Sequence, residues 1–182
     1  MQENFDIVEA RTEQASEISS LVNSAYRGDS SRKGWTTEAD LLDGQRTDPE
    51  SITNILKDPI QKILVAEDPE ADDRILACVH LTKEGSVCWL GMLTVDPQLQ
   101  DEGLGKFLLT EAESFAKFWG CTEIKMKVIS LRSELIKWYE RRGFRATNDR
   151  EPFPINNPKF GLPKRQDLEF QILIKLLIAN NL

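Results

Sequence analysis

The stretch Trp89–Glu113, with the sequence WLGMLTVDPQLQDEGLGKFLLTEAE, decides the predicted fold. Leu90–Val95 has the apolar character of a strand, and Asp96-Pro97 ends it because proline cannot donate to a strand ladder. After a short polar turn, Gly103-Leu104-Gly105-Lys106 begins a helix whose apolar residues recur at spacings of three and four. The free N–H groups and the positive dipole end at such a helix start favour an anion, most often a phosphate.

The composition predicts a single soluble domain over residues 1–182. A net charge of −7 argues against nucleic acid as a partner, and no run of about 18 apolar residues is present to span a membrane. The polar, acidic N-terminus is unlike a signal peptide. Three cysteines without metal-like spacing are typical of reduced, buried thiols, so we expect a cytoplasmic protein. His80 has no second histidine nearby, which argues against a zinc site and leads us to expect no metal.

The segments around the opening stretch predict a mixed sheet with helices. An antiparallel meander precedes the stretch, and the helix crossover after it places the next strand parallel to Val87–Val95. The predicted strands are Phe5–Ala10, Ile60–Glu67, Arg74–Thr82, Val87–Val95, Glu123–Ser130 and Asp167–Leu177. The predicted helices begin with Thr12 as N-cap, after Thr36 or Thr37, at Pro49, at Gly103 and at Leu131.

Two irregular stretches are candidates for ligand binding. Gly28–Gly44 carries Trp35, whose ring either plugs the core or belongs to a loop that faces the substrate. Asn148–Gln166 holds four of the eight prolines and no apolar period, which predicts an ordered loop or flap.

Two motifs follow the neighbouring parallel strands. The first runs from Val95-Asp96-Pro97 to Gln100-Asp101-Glu102-Gly103-Leu104-Gly105, and the second is Leu135–Phe144, LIKWYERRGF. Together they resemble the GCN5-related N-acetyltransferase (GNAT) family, with its V-x-P-x-x-(Q/R)-x-x-G-x-(G/A) and Y-x-x-x-G-F motifs. The order of strands and helices is also similar, so the resemblance covers nearly the whole chain.

Two other phosphate-binding motifs fit less well. The glycines follow an antiparallel meander, whereas a dinucleotide-binding turn sits early in a parallel βαβ unit. Lys106 precedes Phe107, whereas a Walker loop needs Ser or Thr after its lysine.

The resemblance implies a GNAT-like α/β fold of three layers. Its mixed, largely antiparallel sheet would have about seven strands, helices on both faces and a splayed parallel pair that admits pantetheine. It implies acetyl-CoA as the donor and an amine, taken here as a small molecule, as the acceptor. Many members have Asn where this chain has Arg132, which could reach the cofactor or be solvated. The implied cofactor contacts are Leu93, Thr94, Val95, Gln100, Asp101, Glu102, Gly103, Leu104, Gly105, Lys106, Arg132, Tyr139 and Arg142.

The mechanism that the resemblance implies is direct attack by a neutral amine on the thioester in a ternary complex. A backbone N–H near Leu93 would hold the oxyanion, and Tyr139 would donate a proton to the thiolate. A tyrosine with an unperturbed pKa near about 10 is suited to that transfer. The general base stays open between Glu38, Glu67, a His80 placed near Trp89, and a chain of water molecules.

The acceptor site is predicted between residues 35–46 and the Asn148–Gln166 flap, with Trp35, Glu38, Arg46 and Phe153 as candidates. Glu38 suits a cationic amine and Arg46 a carboxylate, so both together suit an amino-acid-like molecule. The alternatives to an enzyme are a non-catalytic acyl-CoA sensor or scaffold and a plain interaction domain. By analogy with the family, a homodimer could form through an exposed last strand.

Overall fold

The computed structural model describes residues 5–100 and 103–178. Its strands are β1 (Asp6–Glu9), β2 (Leu42–Asp43), β3 (Gln61–Asp68), β4 (Arg74–Glu84), β5 (Val87–Val95), β6 (Glu123–Ile129), β7 (Arg145–Pro152), β8 (Leu162–Pro163) and β9 (Glu169–Leu176). Its α-helices are α1 (Ala15–Tyr26), α2 (Pro49–Lys57), α3 (Leu104–Phe118) and α4 (Ser133–Glu140). Seven strands form one sheet in the order β1-β3-β4-β5-β6-β9-β7, and β2 pairs with β8.

Helices cover both faces of the sheet, and the alternation of the strand side chains determines which helix each residue meets. On β3, for example, Ile63 and Val65 pack with α1 and α2, whereas Leu64 and Ala66 pack with α3. The α3 side chains that enter this core are Leu104, Leu108, Leu109, Ala112 and Ala116. The predicted fold class, with helices on both faces of a mixed sheet, is therefore confirmed.

The parallel strands β5 and β6 part in their second halves. They pair from Val87–Leu90 with Glu123–Met126, and the pairing stops there although β5 continues to Val95 and β6 to Ile129. A bulge in β5 accompanies the parting, since Cys78 lies opposite Thr94 but His80 opposite Gly91. Met92, with φ of +49°, sits at this bulge, where an extra residue bends a strand. The splayed pair that the resemblance implies is thus present, and it opens a gap at the C-terminal ends of the two strands.

Two predicted helix starts are wrong. The chain enters α1 through a 3₁₀ turn at Thr12–Gln14, where Gln14 Oε1 accepts the Arg11 N–H at 2.9 Å, so Thr12 is not the N-cap. No helix follows Thr36 or Thr37, because residues 38–41 form a turn and β2 then pairs with β8 about 120 residues further along the chain. A tertiary partner therefore overrides the local pattern there.

Two predictions about the C-terminal part also change. The first residues of the Asn148–Gln166 flap belong to β7, an exposed edge strand whose pairing with β9 is interrupted between Ala146 and Arg150. Such a strand has no buried face, so it shows no apolar alternation. The last strand, β9, lies between β6 and β7 and is not the exposed edge that we expected to pair across subunits.

All three cysteines are free and buried, as expected. In the part of the chain that the structure describes, no helix has the length and apolarity needed to cross a membrane.

Candidate active site

Two cavities meet where β5 and β6 part. The larger has a volume of about 720 Å³ and the smaller about 200 Å³. The smaller cavity lies beside the start of α3 and is bordered by Gly103, Gly105 and Lys106. Four residues line both cavities and so mark their junction: Tyr26, Leu93, Leu135 and Tyr139.

The start of α3 has the open backbone that the motif predicts. Gly103 has φ of +90°, a left-handed conformation that favours glycine, and a Cβ there would meet no atom within 4 Å. At Gly105 a Cβ would lie 3.4 Å from Val95 Cγ2 and 3.8 Å from the Trp138 ring, so the lack of a side chain leaves room in the cavity. Free N–H groups at a helix start suit an anion.

Most of the predicted cofactor residues border the smaller cavity, but not all of them. Leu93, Val95, Gln100, Gly105, Lys106, Tyr139 and Arg142 do so together with Gly103. Thr94 is 1% exposed and its hydroxyl donates to the Met92 carbonyl, while Leu104 is a core residue, and neither residue borders either of the two cavities. Asp101 and Glu102 lie outside the described residues.

Gln100 uses its side chain within the protein. Its Oε1 accepts the Trp35 N–H at 2.9 Å, and its Nε2 donates to Thr36 Oγ1 at 2.9 Å and to the Val95 carbonyl at 3.2 Å. A Cβ on Gly34 would lie only 2.3 Å from Gln100 Oε1, so this close approach requires glycine. Gln100 therefore holds the Trp35 loop against the end of β5 and leaves only its backbone for an anion.

Trp35, a candidate for the acceptor site, lines the smaller cavity and not the larger one that Glu38, Arg46 and Phe153 line. Its ring is half-buried and lies 6.1 Å from the Trp138 ring. The guanidinium of Arg142 stacks 3.5 Å from the Trp138 ring centre, and its Nη1 donates to the Trp138 carbonyl. Arg142 Nε is buried with no partner among the described residues, so this cation keeps an unused donor beside the smaller cavity.

Tyr139 is held by aromatic contacts at the junction. It is 5% exposed and makes edge-on contacts with Trp138 at 5.0 Å and Phe144 at 5.7 Å. No described residue hydrogen bonds to its hydroxyl. Burial raises the Tyr139 pKa far above its ordinary value, and the nearby Tyr26 raises it further, so the expectation of an unperturbed pKa is wrong.

Tyr26, which the sequence reasoning missed, ends α1 at the same junction. Its hydroxyl donates to the Leu93 carbonyl, and burial raises its pKa to about 12, so it stays a neutral donor at ordinary pH. The bond fixes β5 just after the bulge at Met92. The helical spacing of α1 does not separate this tyrosine from an ordinary core residue, because Tyr26 also occupies a buried position of that helix.

Three charged side chains form a buried cluster in the larger cavity. Glu38 accepts from Arg27 with one carboxylate oxygen and from Arg132 Nη1, at 3.2 Å, with the other. Arg132 Nη2 also donates to the Thr36 carbonyl at 2.6 Å. The side chains of these three residues are 5–10% exposed, so the solvated alternative for Arg132 is wrong. Glu38, predicted as the partner of a cationic amine, already has two guanidinium partners.

Arg46 and Phe153, both candidates for the acceptor site, line the larger cavity. Phe153 is 5% exposed and packs against Leu42, Ile129 and Leu168. It therefore forms an apolar wall rather than an exposed contact. Arg46 is half-buried.

Of the candidate general bases Glu67 and His80, only His80 lines one of the two cavities. Glu67 borders neither cavity; it accepts from Gln14 Nε2 at 2.6 Å and pairs with Arg11. His80 lines the larger cavity, opposite Gly91, whereas Thr82 is the residue opposite Trp89. Glu67 is thus a structural residue, and His80 remains at the site.

A short relay sets the tautomer of His80. Gln61 Nε2 donates to Asp58 at 2.8 Å, which turns Gln61 Oε1 towards His80 Nε2 at 2.7 Å. His80 Nε2 must therefore carry the hydrogen, and Nδ1 is the acceptor. Burial, aided by the charge of Arg46, lowers the His80 pKa to about 4, so the ring is neutral near pH 7.

The parted parallel strands and the glycine-bearing helix start define an acetyltransferase class of fold. The model of the Acetyltransferase (GNAT) family matches residues 16–144, and the chain belongs to this family. The uncharacterized protein YdhI of Bacillus subtilis (strain 168) is 29% identical over 70 residues, which cover 38% of this chain and 42% of YdhI.

Solved structures agree on the fold. YncA from Salmonella typhimurium, determined with its cofactor acetyl-CoA, has a TM-score of 0.70 and 17% identity, with 98% of this chain and 97% of YncA covered. The ribosomal-protein-S18-alanine N-acetyltransferase of Escherichia coli has a TM-score of 0.68 and 14% identity, with 98% and 99% covered. At these identities the likeness concerns the fold alone.

Proposed function

We propose that this protein is an N-acetyltransferase that transfers the acetyl group of acetyl-CoA to a primary amine of a small molecule. The observation that carries the proposal is the junction at Leu93 and Tyr139, where a cavity beside a helix start meets a larger, arginine-lined cavity. The smaller cavity would bind acetyl-CoA, and the larger cavity would bind the amine. Both substrates would be bound together, as direct attack requires.

The residues of the smaller cavity fit the pyrophosphate of acetyl-CoA. An anion can approach the N–H groups at the start of α3, because Gly103 has no side chain and the space beside it is open. Lys106 and Arg142 supply positive charge at the same cavity. The edge of β5 from Leu93 to Val95 lacks a strand partner towards β6 and could pair with pantetheine. The Leu93 and Val95 carbonyls each accept one bond already, and each oxygen has a second lone pair.

When bound, acetyl-CoA supplies the acetyl group and a thiolate leaving group. A new N–C bond forms as the C–S bond breaks, and the proton that the amine nitrogen loses balances the one that the sulfur gains. The Leu93 N–H would donate to the thioester oxygen as negative charge develops. His80 Nδ1 would accept a hydrogen bond from the incoming amine in the larger cavity.

The raised pKa of Tyr139 changes its predicted role. A hydroxyl with so high a pKa remains protonated at every ordinary pH, so it can always donate to the leaving sulfur. Complete transfer to a thiolate of pKa about 8.5 would be uphill. Tyr139 therefore acts mainly as a hydrogen-bond donor that stabilises the thiolate while the proton lost by the amine reaches it.

The direct test combines binding and turnover. Thermal shift with acetyl-CoA reports donor binding, and thiol release with a panel of amines reports transfer. The panel includes amino acids, polyamines, aminoglycosides and peptides with free N-termini. Amine-dependent thiol release supports the enzyme. Binding of acetyl-CoA without release by any amine would identify a sensor or scaffold module instead, and an absence of binding would indicate an interaction domain.

A further inference from the structure

Arginines outnumber carboxylates at the inner end of the larger cavity. Arg27, Arg46 and Arg132 line it there, and Glu38 is the carboxylate that pairs with two of them. Three guanidinium groups around one carboxylate leave an excess of positive charge, in a chain whose net charge is −7. The local sign is opposite to that of the whole chain, which favours an anionic group in the ligand.

Within residues 5–100 and 103–178, Arg46 is the cation of this group whose side chain has no partner. Its guanidinium makes no hydrogen bond or salt bridge with any described residue, although it is half-buried. Its backbone is fixed, because Asn23 Oδ1 accepts the Arg46 N–H at 2.7 Å and Asn23 Nδ2 donates to the Thr47 carbonyl at 2.9 Å. The charge of Arg46 lies close enough to Tyr26 and His80 to lower the pKa of both. It therefore faces the groups that line the cavity.

The other carboxylates of the larger cavity do not cancel its positive charge, because four cationic side chains (Arg27, Arg46, Lys127 and Arg132) line it against three carboxylates (Glu38, Glu84 and Glu151). Glu151 forms a salt bridge with Lys127 at 2.5 Å, and Glu84 accepts the Trp89 indole N–H at 3.0 Å. Arg27 is also constrained, since it donates to Glu38 and to the Phe160 carbonyl at 3.2 Å. Arg46 is thus the group free to bind an anion.

We propose that the acceptor carries a carboxylate as well as its amine, and that Arg46 binds this carboxylate. The guanidinium fork matches a carboxylate with two parallel hydrogen bonds. The amine would then extend towards the junction at Leu93 and Tyr139. The same positive surroundings lower the pKa of a bound ammonium, which favours the neutral amine needed for attack. The substrate class is therefore amino acids with a free carboxylate, and the inference rests on the proposed N-acetyltransferase activity.

Matched acceptors test this inference. Thiol release is measured for several amino acids, for the amide of each, and for the amine that remains when the carboxyl group is removed. We expect a KM for each acid roughly 10- to 100-fold below that of its amide, since a charge-assisted pair is lost. In Arg46→Gln the KM for the acids rises by a similar factor, whereas the KM for the amides and kcat change little. In Arg46→Lys, which keeps the positive charge but not the two parallel N–H donors of the guanidinium, the KM for the acids lies between those of the wild type and Arg46→Gln.

Arg145→Gln, on the exposed edge strand β7, is the matched control and leaves every KM unchanged. Amides and simple amines accepted as well as the acids, or an unchanged KM for the acids in Arg46→Gln, would overturn this inference and leave the acetyltransferase proposal intact. If acetyl-CoA binds but neither these series nor the wider amine panel releases thiol, both proposals fail, whereas release by a polyamine or an aminoglycoside alone overturns this inference only.

Discussion

The two cavities differ in how the chain builds them. The smaller one is bordered mainly by two short segments of the described chain, residues 99–100 and 103–106 at the start of α3 and residues 135–142 in and just after α4, with the loop at residues 35–36 at its rim. The larger one gathers side chains from Tyr26 to Phe170 and contains buried ion pairs. The cavity proposed for the donor is thus encoded by compact motifs, whereas the cavity proposed for the acceptor depends on contacts between distant parts of the chain.

Loss of the Tyr139 hydroxyl at the junction should have the largest effect. We expect Tyr139→Phe to lower kcat roughly 100-fold or more, because the leaving sulfur loses its donor. The Kd for acetyl-CoA, measured by titration calorimetry, should change less than about twofold, since most contacts lie along the smaller cavity. A kcat equal to that of the wild type would remove Tyr139 from the mechanism.

Neutralising the acid of the buried cluster should mainly destabilise the larger cavity. Glu38→Gln leaves Arg27 and Arg132 without their carboxylate, and we expect a loss of about 3 kcal/mol in the free energy of unfolding by urea. The matched control is Glu169→Gln, whose exposed pair with Arg150 should contribute under about 1 kcal/mol. Equal losses in the two variants would contradict a structural role for Glu38.

His80 predicts a pH dependence of stability with a definite sign. The folded protein keeps the ring neutral down to pH about 4, whereas the unfolded chain takes up a proton below pH 6.5. Stability is therefore fully present above pH 6.5 and falls as the pH drops towards 4. Between pH 7.5 and 5 the wild type should lose about 2 kcal/mol more of its unfolding free energy than His80→Gln. Parallel losses in the two proteins would show that His80 is not buried in the neutral form.

The same contrast explains which features could be predicted from the sequence. Two short, continuous motifs contain Gly103, Gly105 and Tyr139, so these residues can be recognised without knowing their contacts in the folded protein. The local pattern around Glu38 favours a ligand-binding residue, because its two partners are distant in sequence. Arg27 lies 11 residues before Glu38 and Arg132 lies 94 residues after it. The edge strand β7 was missed because it buries no face.

On the proposed function, the smaller cavity binds acetyl-CoA and the larger one binds the amine. Steady-state kinetics with both substrates varied, on Arg142→Gln and Arg46→Gln, tests it most directly. We expect Arg142→Gln to raise the KM for acetyl-CoA and to leave the KM for the amino acid unchanged. We expect Arg46→Gln to raise the KM for the amino acid and to leave the KM for acetyl-CoA unchanged. A rise of both KM values by the same factor in either variant would contradict it.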